Sequence, residues 1–384
     1  MLFSRSQPFP RGTVLFTRKG ALYELVEDLG AGPHGERLLL AHKRVKDGRA
    51  ARVLLKALPL SNASAPMKEA RERLEEEVRL ASFLKYPNIA RVHGMHKARR
   101  VLFVMTEAVP GYSLNTLLEV AFARGRTFPE PFMLYVGAQV AGALAHAHAC
   151  RGPTGAPLGI VHRAIDPGRI RVGLDGQVKL MDFGLASARL PGTRATRRPG
   201  ARGEVYWASP EALLGQPEDG RSDLFALGLV LLEFATGTHL LSAYRMLLQD
   251  LWALVPEGEA EALRALIDRT RGAWAGVDPE ETIVRAATLS HADVVAATRP
   301  LSEPVRAIFH KLLRRAPSER YASALTLQDD LTQALRTYGS YTARTATREI
   351  QLALREAGEA LAGEEEGAWG APHEDAITTE PSPA

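Results

Sequence analysis

The sequence predicts an α+β protein of two lobes, a small β-rich lobe with one key helix followed by a larger, mostly helical one. Residues 11–109 are strand-rich apart from one helical stretch, and from Leu114 the chain turns helical. At the heart of the second lobe, residues 160–184 (IVHRAIDPGRIRVGLDGQVKLMDFG) read as a loop followed by a short β-hairpin. Ile170 and Val172 alternate with polar neighbours, Asp175-Gly176 is a two-residue turn signal, and Val178 and Leu180 alternate again. That hairpin delivers Asp182-Phe183-Gly184 beside the loop that begins at His162.

Bulk properties narrow the function classes. A chain of 384 residues can bury a large core and form two lobes with extensions. Its formal net charge of +4 is too small to imply nucleic acid or a membrane surface as partner. Cys150 is the only cysteine, which excludes an internal disulfide and fits a reducing, cytoplasmic setting. The first residues turn polar and Pro-rich before an apolar signal segment could form. The longest apolar run, residues 224–235, is too short to span a bilayer and reads as a buried helix.

Taken in order, residues 1–20 are an N-terminal extension, 21–109 the first lobe, 110–338 the second, and 339–384 a further helix with an acidic tail. In the first lobe, residues 23–30 form a strand entering Gly30-Ala-Gly32-Pro-His-Gly35, a pattern that any hairpin turn could also produce. A strand bearing Val53-Leu-Leu-Lys56 follows, then a helix over residues 66–85 with a run of acids at Glu75, Glu76 and Glu77. At 3.6 residues per turn, Leu74, Val78 and Ala81 share one face with Glu77 at its edge, and Glu75 and Glu76 point to solvent. A carboxylate on the packed side needs a partner, and Lys56 is the candidate. Residues 101–107 form a buried strand leading to a hinge.

In the second lobe, residues 129–149 form an amphipathic helix ending in a Pro/Gly-rich loop. After Gly184 comes a basic stretch with Arg189, Arg194, Arg197, Arg198 and Arg202 and no acid before Glu204. Residues 242–300 form a helical insert, helices resume over 301–338, residues 342–362 form one more, and 363–384 are disordered.

Several of these pieces, in this order, resemble the eukaryotic-like Ser/Thr protein kinases of bacterial type, whose signature is H-R-D-L-K-P-x-N followed by D-F-G. The resemblance covers about residues 20–338 and implies the bilobal kinase fold. It makes Gly30, Gly32 and Gly35 the phosphate-covering loop, Lys56 the phosphate-holding lysine and Glu77 its helix partner. Tyr86-Pro-Asn-Ile resembles H-P-N-I and selects the same glutamate. Thr106 takes the gatekeeper position, and Glu107 offers a backbone carbonyl to an adenine. His162, Arg163, Phe183, Glu211 of Ser-Pro-Glu, Asp223 and Arg320 become structural residues, with a Glu211–Arg320 pair expected. The basic stretch becomes the activation loop, with Thr193 or Thr196 as modification sites whose phosphate Arg163 could receive; a solvated basic loop is the plainer reading.

The departures lie where the chemistry should be. The catalytic Asp is Ala164, the phosphate-facing Lys is Asp166, the metal-ligating Asn is Arg169, and the docking-loop Thr is Glu204. Ala164 cannot accept a proton, and Arg169 places a cation where a cation must bind, so either Mg²⁺ rests on Asp182 alone or metal binding is lost. Three charged substitutions predict one cluster, Arg169 between Asp166 and Glu204. Leu54 and Arg171 also replace the small and apolar residues that flank adenine. The roof residue is Arg37 in a gapless reading, or Leu38 if the loop is one residue longer. Three readings stay open: a pseudokinase with weak or metal-independent ATP binding that regulates or scaffolds protein partners such as kinases and signalling proteins; an active but atypical kinase using Asp166 as base; and a nucleotide-free scaffold.

Overall fold

The structure is a computed structural model that describes residues 10–32, 35–45, 48, 50–60, 64–188, 205–241, 247–270 and 279–369. The basic stretch from Arg189 with Thr193 and Thr196, Glu204, and the tail beyond 369 lie outside the described residues.

A six-stranded antiparallel sheet forms the first lobe, in the order β1-β2-β3-β4-β6-β5. Its strands are β1 (Val14–Arg18), β2 (Ala21–Ala31), β3 (Arg37–Arg44), β4 (Ala50–Pro59), β5 (Val92–Ala98) and β6 (Val101–Glu107). One face gathers Leu25, Leu39, Ala41, Leu55, Ala57 and Met105 into a core. On the other, Leu58, Leu102 and Val104 bury against Ala70 and Leu74 of α1 (Ala65–Leu80). Strand alternation therefore leaves Leu54 and Lys56 on the face that looks toward α1.

Residues 14–18 of the expected N-terminal extension form an edge strand of this sheet. β1 pairs with β2, and its Phe16 ring stacks on Tyr23 with centroids 4.4 Å apart. Lys19 and Gly20 both adopt positive φ (46° and 75°), the geometry of a tight hairpin turn, which a Lys-Gly pair signals weakly in sequence.

The second lobe is built on α3 (Glu130–Ala149) and α5 (Gly220–Thr236), both buried along most of their length. α9 (His291–Thr298), α10 (Glu303–Leu312) and α11 (Ala324–Arg336) pack against this pair, α4 (Pro210–Leu213), α6 (Leu248–Ala253) and α7 (Glu257–Thr270) pack on α8 (Glu280–Thr288), and α2 (Leu114–Ala123) lies beside the small sheet. A small sheet of β7 (Gly111–Ser113), β8 (Ile170–Gly173) and β9 (Val178–Leu180) sits at the lobe junction. Ile170, Val172, Val178 and Leu180 are all fully buried, so the hairpin is anchored by the alternating residues that predict it.

The last helix, α12 (Ala343–Trp369), runs seven residues past the predicted end at 362. It packs its Ala346, Ile350 and Ala353 into the main core, and its Glu356 pairs with Arg124 at 3.1 Å just beyond α2. Its first residue presses on the hairpin turn at Gly176 (φ +79°), where a side chain would collide with the Ala343 backbone. No helix among the described residues is long and apolar enough to cross a membrane.

Candidate nucleotide cleft and catalytic loop

The register of β3 and β4 sets the roof of the cleft. Leu38 pairs with Lys56 and Leu40 with Leu54, so these four share a face. Leu38 is thus the roof residue, and the loop is one residue longer than the gapless reading. Arg37 points elsewhere, its Nε donating to both carboxylate oxygens of Asp28 at 2.8 and 2.7 Å.

α1 turns Glu77 inward. Lys56 Nζ donates to its Oε1 at 2.9 Å and its Oε2 at 2.8 Å, and both side chains are nearly excluded from water. Glu75 pairs on the surface with Arg71 at 2.9 Å. Glu76 does not point freely to solvent as expected: its side chain is 14% exposed and pairs with Arg79 at 3.3 Å. The helix packs against the Phe183–Leu185 turn as well as against β4 and β5, which a helical wheel cannot show.

Lys56 also donates to Asp182 Oδ1 at 3.1 Å. Asp182 holds a left-handed backbone (φ 65°), a conformation rarely kept by a non-glycine residue unless its surroundings fix it. Burial would depress the Lys56 pKa, but Asp182 and then Glu77 outweigh it and drive the pKa above the ordinary lysine value. Burial raises the Glu77 carboxyl, against the pull of Lys56.

The other oxygen of Asp182 faces Arg169. Arg169 Nε lies 3.4 Å from Asp182 Oδ2, and the same guanidinium pairs through Nη1 with Asp166 Oδ2. Asp166 Oδ1 accepts the Arg169 backbone N–H at 3.0 Å and caps the short turn Pro167–Arg169. The result is a chain of alternating charge, Glu77, Lys56, Asp182, Arg169, Asp166, buried except at the partly exposed Asp182. Arg169 accordingly clusters with Asp182, a partner the sequence reading did not name; the Glu204 half of the expected cluster lies outside the described residues.

This donor set does not fit Mg²⁺. A divalent ion there needs oxygen ligands, and both oxygens of Asp182 already face protein cations. The residue that would supply the second ligand is one of those cations. Nor is Asp166 placed as a base, because it is 4% exposed and both its oxygens are engaged within its own loop. Ala164 is buried at the position of the missing carboxylate, its N–H donating to His162 Nδ1 at 3.3 Å.

Around this core the loop is held by Asp223, the buried first-turn acid of α5. Its oxygens accept the backbone N–H groups of His162 and Arg163, each at 2.8 Å, and Oδ2 also meets His148 Nε2 at 2.8 Å. Burial raises the Asp223 carboxyl, but the hydrogen bond and charge of His148 bring it below the usual value. His162 stands edge-on to Phe183, with centroids 4.4 Å apart, and contacts the Met181 carbonyl at 3.0 Å. Arg163 (φ 66°) pairs with Glu218 at 3.3 Å, so a carboxylate already sits where a phosphate was expected. Farther out, Arg320 grips Glu211 with two bonds at 2.7 and 2.8 Å, and Ser222 Oγ donates to the same carboxylate at 2.6 Å.

The side chains expected at the adenine end are bonded to neighbouring protein groups. Thr106 is buried and donates to the Leu54 carbonyl at 3.3 Å. The Glu107 carboxylate pairs with Lys179 at 3.0 Å and accepts the Arg91 N–H at 2.9 Å. Arg171 reaches from the floor to the hinge, donating to the Val109 carbonyl at 3.2 Å and the Gly111 carbonyl at 2.5 Å. Sequence reading marks Arg171 as a poor floor for adenine but not its bridge to the hinge, since only strand pairing brings Arg171 beside residues 111–113.

A two-lobed frame with the lysine–glutamate pair, the Asp-Phe-Gly turn and the Glu211–Arg320 tie defines a protein kinase. The family model described as protein kinase domain matches residues 23–332, and the chain belongs to that family. It is 33% identical over 216 residues to the tyrosine-protein kinase MasK of Myxococcus xanthus, covering 56% of this chain and 32% of that protein. It is 34% identical over 165 residues to the serine/threonine-protein kinase PrkC of Bacillus subtilis, covering 43% and 24%. The chain thus matches a third or less of the length of these relatives. The kinase domain of Mycobacterium tuberculosis PknI shares the fold, with a TM-score of 0.53 at 21% identity over 85% of this chain and 99% of that one.

Proposed function

We propose that this chain is a pseudokinase, a kinase-shaped module that binds and regulates protein partners without transferring phosphate. Kinases of this family use ATP and Mg²⁺; phosphoryl transfer requires positioning, neutralisation by metal and a group that takes the substrate proton. The observation that carries the proposal is the Lys56–Asp182–Arg169 arrangement, in which the metal-binding aspartate is neutralised on both oxygens by the chain itself. Ala164 removes the proton acceptor, and Asp166 is committed to Arg169. What remains is the frame: the lysine–glutamate pair fixes α1 to the sheet, the His162–Phe183 contact and the Asp223 clamp fix the catalytic loop, and protein cations face the aspartate in place of the metal. Any ATP that binds does so weakly and independently of Mg²⁺.

The test is a radiolabelled-ATP assay with Mg²⁺ or Mn²⁺ on purified protein. Incorporation should not exceed that of a Lys56→Met control, and Ala164→Asp alone should not restore it, because base and metal act on one transition state. Robust turnover that vanishes in Asp166→Ala would overturn the proposal and assign the base to Asp166.

A further inference from the structure

A cavity of about 660 Å³ opens on the second lobe, between the end of α3 and the starts of α5 and α11, and shares no residue with the nucleotide cleft. Small residues leave the room: α3 contributes Gly142, Ala145 and Ala149, α5 contributes Gly220, and α11 contributes Ala324. Polar groups converge at one end. A Cβ on Gly142 would meet Gln328 Nε2 at 2.7 Å and the Tyr86 hydroxyl at 3.0 Å, so both groups reach over the glycine. Neither the Tyr86 hydroxyl nor the Gln328 amide has a hydrogen bond to protein among the described residues. Beside them the Tyr86 ring stacks on His146, with centroids 5.1 Å apart and planes at 23°. The two charged residues of the lining, Asp219 and Arg221, are bonded to each other at 2.6 and 3.0 Å. His148, also in the wall, meets Asp223 through Nε2 at 2.8 Å, the acid that clamps the catalytic loop.

Small-molecule sites are clefts of roughly 300–1,000 Å³, mostly apolar, with a few convergent polar groups that set orientation. This cavity has that size and that lining. Its two charges neutralise each other, so no free ion waits for a charged ligand. The Tyr86 and His146 rings favour an aromatic one by stacking or edge contact. The Tyr86 hydroxyl and the Gln328 amide offer both donors and acceptors to its edge. We propose that the cavity is a second ligand site, taking a flat, uncharged aromatic molecule with a hydroxyl or carbonyl at its edge. His148 sets the Asp223 clamp directly behind the wall of that site. The site stands whether or not the nucleotide cleft transfers phosphate.

The experiment is a ligand-observed NMR titration of 2-naphthol and of naphthalene-2-sulfonate into the full chain. Wild type should bind 2-naphthol with a Kd below about 1 mM, and the sulfonate, which has the same rings and a charge, at least about tenfold more weakly. Ala145→Leu puts a branched side chain into the cavity and should weaken 2-naphthol at least about tenfold. Tyr86→Phe keeps the ring, removes the hydroxyl and should weaken it at least about threefold. Ala149→Leu fills the same cavity from an exposed position and decides the matter if Ala145→Leu fails to fold. The proposal is overturned if wild type binds no 2-naphthol or binds the sulfonate as tightly. It is overturned equally if a folded filling variant or Tyr86→Phe binds 2-naphthol with wild-type affinity.

Discussion

Arg169 offers several hydrogen-bond donors in a fixed, planar fork. One arm meets Asp166 and the chain-side nitrogen faces Asp182, so one cation serves two acids from different segments. Arg169→Ala should lower stability by about 1–3 kcal/mol in urea denaturation, since Asp166 loses its counter-charge while Lys56 still neutralises Asp182. A wild-type midpoint for that variant would remove Arg169 from the cluster. The Arg169–Asp166 half of this arrangement is legible in the sequence, because the two residues are three apart in one loop. The Asp182 half is not: it depends on the hairpin folding back, which alternation predicts in outline but not at the level of side-chain contacts. The roof residue Leu38 is hidden for a similar reason, since only the β3–β4 register says how long the glycine-rich loop is.

Two elements carry further expectations. Past the end of α5, His239 is buried between Tyr206 and Trp207, with the Trp207 ring edge-on at 5.5 Å. Neither ring nitrogen has a hydrogen bond of good geometry among the described residues, although the Tyr206 backbone lies close enough to favour the proton weakly. Burial pushes its pKa down from 6.5 to about 4. The unfolded chain therefore binds the proton first, and stability should fall as pH drops from 6.5 toward 4, by up to about 3 kcal/mol. His239→Phe should flatten that part of a denaturation-versus-pH curve; an identical curve would refute the assignment. The Glu211–Arg320 tie behaves as an acid counterpart. Burial raises Glu211, but the bonds and charge of Arg320 hold it below 4.5, so its contribution is complete above that pH and fades below it. Arg320→Ala should cost about 3–5 kcal/mol by urea denaturation, because it leaves Glu211 charged and buried. α12 lies outside the matched kinase residues yet belongs to the core through Ile350. Ile350→Ala should cost about 2–5 kcal/mol in the same measurement, whereas a negligible loss would mean the helix is only loosely docked.

At the scale of the whole molecule, the fold is far more legible than the site. Ordered motifs and two different hydrophobic periods specify the lobes, because burial patterns repeat over many residues and survive local substitution. The site depends on single contacts between segments far apart in the chain, and there the sequence supplies candidates without pairings. Lys56 and Glu77 are an exception, since the helical face that packs on the sheet leaves Glu77 as the acid best placed to meet it. The frame that emerges carries the internal contacts of a kinase around a cleft neutralised from within by Lys56 and Arg169. The measurement that tests this most directly is the melting temperature of wild type and Arg169→Asn, each with ATP in Mg²⁺ and in EDTA. Any ATP-induced shift of wild type should be the same in both conditions, and Arg169→Asn should gain a shift that requires Mg²⁺, because the asparagine restores a ligand and removes the competing charge. A wild-type shift seen only with Mg²⁺ would contradict the account, for it would mean that the metal displaces Arg169 and that the cleft still works as a kinase site.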